Sequence, residues 1–347
     1  MLGSRAAHLL LALLLTAAPA AAELIVPPGF ASRVYVSGQG FGQERPPNAH
    51  GIPSSSTLAV DGTGVLYVAR TGRRYTGGEV EDHLWPISRI PAGGARLTPD
   101  TEPRFLYGPP LINAQVGAVS PAGDLFVTTY DRDRRIGVVY RMVDGRAELF
   151  AGGTPPPGVP PLLRQPEGVA FDGAGNVYVA DREQHVVLKL DPTGRVLDPR
   201  LVAVARPRAL VVDDAQRLWI GGDEDNTAPW MRSPGALWRA GAEPPPVRVL
   251  RGPVAAGLAI GPGGRIFMSD RQGARIVAVT PDGALSEFAR FTDGDAPRAL
   301  AFVPDTSVTR RAGIAGDLLV ITIRRHRWPV NEIVRVSGPF RAWVSGR

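Results

Sequence analysis

From residue 31 onward, apolar and polar positions alternate in short runs, and the runs come in a fixed order. Gln165–Asp191, QPEGVAFDGAGNVYVADREQHVVLKLD, holds three of them: Gly168–Phe171, Asn176–Ala180 and His185–Leu190. A period of two places successive side chains on opposite faces of a strand, so Val177 and Val179 share one face and Tyr178 takes the other. Between the first two runs, Asp172-Gly173-Ala174-Gly175 supplies the positive φ that a tight hairpin needs. The stretch therefore predicts three consecutive antiparallel strands, a unit that cannot bury both of its faces alone.

The rest of the chain repeats it. The same phrase returns as STLAVDGTGVLYVAR from Ser56, QVGAVSPAGDLFVTT from Gln115, RALVVDDAQRLWIGG from Arg208, AGLAIGPGGRIFMSD from Ala256 and RALAFVPD…AGDLLVITI from Arg298. Turn positions Asp61, Pro121, Asp172, Asp213, Pro262 and Pro304 lie 41 to 60 residues apart, which suits four strands and variable loops. Six copies of a four-stranded unit predict an all-β, six-bladed β-propeller. Later strands are expected at Ile136–Met142, Gly235–Arg239, Arg275–Thr280 and Asn331–Val336. Ala31–Val36 is expected as the outer strand of the last blade, closing the ring and covering an open edge, with Phe340–Val344 as its competitor. The phrase PEGVAFDGAGNVYVAD at Pro166–Asp181 resembles the NHL repeat, which implies a propeller of the NHL/TolB-like kind.

Residues 1–22 read differently. Arg5 and His8 precede the apolar run Leu9–Ala18, and the small-residue stretch Pro19–Ala22 follows. That order is the order of a secretory signal, with cleavage expected after Ala22 and residues 23–347 forming one propeller domain. The apolar run is too short to span a bilayer comfortably, and no later stretch approaches the length required. A periplasmic or secreted monomer is the expectation. The chain has no cysteine, which removes disulfides, thiolate nucleophiles and cysteine-ligated zinc. Its net charge of +6 is carried almost wholly by arginine, Lys189 being the only lysine. No cluster of basic and aromatic residues accompanies that charge, so nucleic acid is not expected as a partner.

Candidate chemistry gathers on the axis and in the longer connections. Aligned on Phe171, the residue opening each innermost strand is Ser56, Gln115, Glu167, Arg208, Ala256 or Arg298. One carboxylate and two arginines would converge there, either as a mouth for an anionic or polyhydroxy ligand or as a self-satisfied group in which Glu167 pairs with Arg208 and Arg298. A second ring, Arg70, Thr129, Asp181, Gly222, Asp270 and Arg324, follows the second strands, and Asp181 and Asp270 are expected to cap the turns after them. Insertions at Arg70–Pro86, Asp223–Pro234, Asp305–Gly316 and Arg324–Pro329 are places where specificity can reside. Trp85, Trp230 and Trp328 lie in them and would make a stacking platform. The acidic run Asp223-Glu224-Asp225-Asn226 matches no EF-hand spacing and reads as a solvated turn.

Two further resemblances bear on activity. Pro166–Asp172 and Arg208–Gly221 are similar to phrases of gluconolactonase-like propellers, whose mouth holds a divalent ion. Glu167 here stands for an Asn of that pattern and Arg208 for a ligand Asp, which argues against a metal there and against a metal-dependent lactonase or lyase. PPGFASRVYVSG at Pro27–Gly38 and GDLLVITIRRHRWPVNEIVRVSGPF at Gly316–Phe340 resemble the two ends of quinoprotein sugar and sorbosone dehydrogenases. That likeness implies pyrroloquinoline quinone with calcium, His50 or His326 as base, and Arg208, Arg298 and Arg324 as cofactor contacts. Two function classes follow. One is a binding scaffold that takes a small polar ligand or a protein partner at a mouth formed by Gln115, Glu167, Arg208, Arg298 and Arg324. The other is an oxidoreductase of the quinoprotein kind.

Overall fold

The computed structural model describes residues 24–38, 52, 57–69, 73–76, 79–82, 84–227, 234–241, 245–253, 255–280, 283–292, 294–323 and 332–343. They form six antiparallel sheets arranged as the blades of a propeller, as the repeated phrase predicts. Blade three shows the plan: Pro166–Phe171 is innermost, followed outward by Val177–Asp181, Val186–Leu190 and Val196–Ala203. The other innermost strands are Thr57–Val60, Gln115–Val119, Ala209–Val212, Ala255–Ile260 and Ala296–Phe302. Each second strand is almost wholly buried, because both faces meet a neighbouring blade.

The phrase carries its own hairpin lock. Asp61, Asp172 and Asp213 each fold back over the first turn and accept a hydrogen bond from an aromatic residue six positions on. The donors are Tyr67 Oη at 3.2 Å, Tyr178 Oη at 3.0 Å and Trp219 Nε1 at 2.8 Å. Burial pulls the Asp172 and Asp213 carboxyls up, but the hydrogen bonds they accept hold both below the ordinary carboxylate value. In the other three blades the equivalent residue is Ser120, Gly261 or Val303, one position before the prolines that the sequence marked.

The ring closes as expected. Ala31–Gly38 pairs antiparallel with Ile333–Ser337 as the outer strand of blade six. Trp343 and its neighbours after Phe340 form a turn instead. Two additions lie beyond the expectation. Leu24–Ile25 adds a fifth strand to blade five, pairing with Arg290 and Phe291. Ala95–Leu97 from blade one pairs in parallel with Val36–Gly38, tying blade one to blade six. Between the two N-terminal strands, Phe30 meets the rings of Phe288 and Phe340 edge to face at 5.1 and 4.8 Å. Gly338 permits that approach, since a Cβ there would lie 2.3 Å from the Phe30 ring.

Three of the insertions acquire structure. Residues 70–86 contain a small hairpin, Arg73–Thr76 with Glu79–Asp82. Trp85 is not on a loop: it belongs to Leu84–Ile90, the third strand of blade one, where it pairs with Leu111 and is half-buried. Asp305–Gly316 holds a short helix, Ser307–Arg311, opened by a capping box of Thr306 and Thr309. Asp223 belongs to the second strand of blade four and is 1% exposed. Among the described residues no helix is long and apolar enough to cross a membrane.

Candidate functional site

Where each chain segment first reaches the axis, the innermost strands leave a cavity of about 70 Å³. Gln115, Glu167, Arg208, Ala256 and Arg298 all line it, so the alignment on Phe171 picked out residues that converge in space. Local geometry puts them there. In blades three, five and six the innermost strand bulges at this level, between Pro166 and Val169, Ala255 and Leu258, and Pro297 and Leu300. A bulge re-aims the side chain it contains, and these contain Glu167, Ala256 and Arg298. Side chains of neighbouring blades bind the backbone at the same level. Thr57 Oγ1 accepts from Val116 N at 2.7 Å, Thr128 Oγ1 donates to Glu167 O at 3.0 Å, and Ser269 Oγ donates to Arg298 O at 2.9 Å.

The charges pair differently from the self-satisfied group considered above. Glu167 Oε1 accepts from Arg182 Nη1 at 3.0 Å and from Gln165 Nε2 at 3.2 Å, not from Arg208 or Arg298. Arg208 is buried and gives Nη2 to Asp223 Oδ1 at 2.6 Å, while Asp223 Oδ2 takes Arg206 Nη1 at 2.9 Å. Asp223 lies one residue beyond Gly222, the blade-four counterpart of Asp181 and Asp270, and reaches back to the mouth from there. Pro166 lies opposite Asp181 and Ala255 opposite Asp270; in blade four a Cβ on Gly222 would meet Pro207 Cα at 3.4 Å, while Asp223 N reaches Ala205 O at 2.9 Å. In blade six the same register selects Thr322, which faces Pro297, rather than Arg324.

Asp181 and Asp270 cap turns as expected. The first accepts from the backbone of Arg164, Gln165 and Gln184, and the second from Gly273 N. The acidic run is solvated only in its second half: Asp223 is buried and Glu224 binds Arg248 and Arg251, each at 2.6 Å, while Asp225 and Asn226 are exposed. His185 takes a structural place: it has φ +58° at the turn into the third strand, and Nδ1 accepts from Arg206 N at 3.2 Å. Burial first, and then the Arg206 guanidinium, lower its pKa.

Arg298 stands out in this arrangement. Among the described residues it makes one hydrogen bond, Nη1 to Ala256 O at 3.1 Å, and no ion pair. Burial in the channel wall pulls its guanidinium down to about 10, Glu167 works against that, and Arg271, Arg208 and Arg182 add to it. It stays charged at neutral pH but is surrounded mostly by like charge. The Gln115 carboxamide, 4% exposed, makes no hydrogen bond among the described residues. Glu167 Oε2 is likewise left without a donor there. The mouth thus offers an uncompensated cation, an amide with donors and an acceptor, and one carboxylate oxygen.

His50, His326, Arg324, Trp230, Trp328 and Ser56 lie outside the described residues. Among the described residues the cavity of about 70 Å³ has no imidazole in its lining and is smaller than the roughly 300–1,000 Å³ of ordinary ligand pockets. Among the described residues no three carboxylate or imidazole groups converge as metal ligands.

Fold and mouth together define a six-bladed β-propeller with an arginine-rich axial site. Residues 163–190, within the third blade, match the family model of the NHL repeat. No curated protein matches the sequence. Among solved structures, the chain is similar to a putative gluconolactonase at 16% identity and a TM-score of 0.55, covering 91% of this chain and 94% of that one. It is also similar to the aldose sugar dehydrogenase of Streptomyces coelicolor in its pyrroloquinoline-quinone-bound form, at 15% identity and a TM-score of 0.51, over 90% of this chain and 100% of that one. A streptogramin B lyase structure matches at 13% identity and a TM-score of 0.50, over 89% of this chain and 98% of that one. At these identities the likeness is one of fold, and the neighbours perform different chemistries on it.

Proposed function

We propose that the protein binds a small polar ligand bearing an anionic group, with that group seated at Arg298 in the axial mouth. One observation carries the reading: Arg298 is walled in among Arg182, Arg208 and Arg271, and among the described residues it forms no ion pair with a carboxylate. An enclosed guanidinium in such company is stabilised by an incoming anion and by little else. The Gln115 carboxamide and Glu167 Oε2 stand beside it as partners for hydroxyl groups, so small hydroxy acids match the mouth better than neutral polyols do. The cavity accommodates the head of such a ligand, and the remainder would lie above it, toward the longer connections. We also read the chain as an exported monomer released after Ala22, which N-terminal sequencing and light scattering of the secreted material would test.

The binding experiment is a calorimetric titration of the mature protein at low salt with acetate, lactate and gluconate, and with glucose as the neutral control. Binding of the acids but not of glucose is expected, with at least a tenfold loss in Arg298→Gln, because a charge-assisted hydrogen bond contributes about 1.5–3 kcal/mol. Acids that bind equally well to Arg298→Gln would refute the assignment. The oxidoreductase reading has its own test in reconstitution with pyrroloquinoline quinone and calcium, followed by dye reduction with sugars.

A further inference from the structure

Between blades three and four, at the end of the ring away from the mouth, lies a cavity of about 670 Å³. The blade repeat accounts for it. In five blades the residue of the third strand that pairs with the start of the second is Ile90, Met142, Leu190, Val279 or Val336, and each is buried. In blade four it is Ala240, paired with Leu218. These two share a core cluster with Tyr178 and Val202 of blade three, so the missing branches leave a gap between the two sheets. Packed sheets stand roughly 10 Å apart, and the branches of a Leu or Ile fill about one layer of atoms, some 3.5–4.0 Å deep. The gap is a slot of about the thickness of an aromatic ring. Among the described residues its rim is low, with Ala174, Ala215 and Gly241 exposed there.

Charge on the lining cancels, with Lys189 and Arg217 against Asp172 and Asp198. Both cations are already engaged: Lys189 Nζ lies 3.5 Å from Asp172 Oδ2, and Arg217 gives Nε to Asp213 at 2.8 Å. Asp198 pairs across the strands with Lys189 and lies in the field of that ammonium. A full charge of either sign therefore gains little in the slot. Unspent hydrogen-bonding capacity remains near the rim. Gln216 Oε1 takes Gly173 N at 2.7 Å, and Asp198 Oδ1 takes Arg200 N at 2.8 Å. Among the described residues Gln216 Nε2 and Asp198 Oδ2 make no hydrogen bond. We infer that the slot is a second binding site, for a neutral planar aromatic molecule. Its ring enters among Tyr178, Val202, Leu218 and Ala240, and its one polar group stays at the rim with Gln216 or Asp198. A molecule with hydroxyls all round would have to bury some of them against Val202 and Leu218 without partners. A flat ring does not, and Tyr178 offers it an aromatic neighbour. Lys189 lies over the Tyr178 ring at 5.2 Å, so its methylene stem adds to the apolar wall. The slot shares no lining residue with the mouth and is independent of the anion site.

Lys189 makes the test specific to the site, because it is the only lysine in the chain. Mature protein carrying isotope-labelled lysine shows one lysine ε-methylene signal by nuclear magnetic resonance, from a residue on the cavity wall. Titration with phenol and with indole should move that signal, through the ring current, to saturation. Cyclohexanol has the same number of heavy atoms as phenol but is not flat, and should bind at least about tenfold more weakly. Ala240→Leu supplies the side chain that blade three carries at this position, as Leu190, and should weaken indole binding at least about tenfold. Ala240→Val, the side chain of blades five and six, makes the same test if Ala240→Leu fails to give a cooperative melt. Indole that shifts the Lys189 signal with equal affinity in the filled variant would overturn the placement of the ring in the slot. Cyclohexanol binding as tightly as phenol would overturn the aromatic class. A Lys189 signal that neither phenol nor indole moves would overturn the site itself.

Discussion

The pair formed by Asp223 and Arg208 offers the sharpest test of how the mouth is built. The Asp223 side chain is 1% exposed and that of Arg208 3%, and the carboxylate also holds Arg206. Asp223→Asn keeps the shape but removes the charge, leaving two guanidiniums facing a neutral amide in a nearly dry space. Burial already pulls the Arg208 pKa down, and Asp223 is the largest influence opposing it. Breaking one partner of a buried pair typically costs about 3–5 kcal/mol. For a chain of this size that is a fall in melting temperature of roughly 6–10 °C, at about 2 °C per kcal/mol. Differential scanning calorimetry at pH 7 measures it. Asp223→Asn combined with Arg208→Met should recover part of the loss, because the stranded cation is then gone. A single variant that melts within about 1 kcal/mol of the parent would show that channel water, not Asp223, supports Arg208.

Other expectations follow from the same contacts. Tyr178→Phe should cost about 1 kcal/mol, one hydrogen bond to Asp172, as read from chemical denaturation. Because the Asp172 and Asp213 carboxyls sit below their ordinary values in the folded state, their stabilisation is complete above about pH 4 and is lost as the pH falls through their folded-state values. Melts between pH 6 and 2 should therefore steepen at the acid end, and less so in a Tyr178→Phe, Trp219→Phe double variant. His185 has the opposite charge type but the same direction. Its lowered pKa means that the unfolded chain takes up the proton first, so its contribution is full above about pH 6.5 and declines below. A His185→Asn variant, titrated by thermal melting, should show a flatter profile between pH 7 and 5. Phe30→Ala should destabilise by roughly 2–4 kcal/mol through the lost ring contacts with Phe288 and Phe340, and unchanged melting would deny the N-terminal segment its closing role.

Six blades, the closing strand at Ala31 and the mouth residues Gln115, Glu167, Arg208 and Arg298 were legible because one phrase repeats in register. Period-two alternation says which residues share a face, and alignment on Phe171 carries that to every blade. The pairing of the mouth was not legible. Arg182, Gln165 and Asp223 sit next to the aligned positions rather than on them, so neither repeat nor alternation says that they hold the mouth residues. Proline precedes the mouth residue as Pro166, Pro207 and Pro297, and alignment on it selects Gly222, one position short of Asp223. Trp85 was misplaced for another reason. The insertion in blade one forms its own hairpin before the third strand begins, and length alone does not reveal where a strand resumes. The short additions at Leu24–Ile25 and Ala95–Leu97 carry almost no periodicity, being only two or three residues long.

The seam has a consequence for the order of events in synthesis. Ala31 pairs with Ser337, so this strand leaves the ribosome about 300 residues ahead of its partner. Joining ends so far apart carries a large loop-closure entropy, and contacts of such long range form slowly. Blades one to five can assemble as they emerge, but the circle stays open until nearly the last residue arrives. Until then the chain is an arc with two raw ends, unlatched and still able to be drawn lengthwise through a narrow passage.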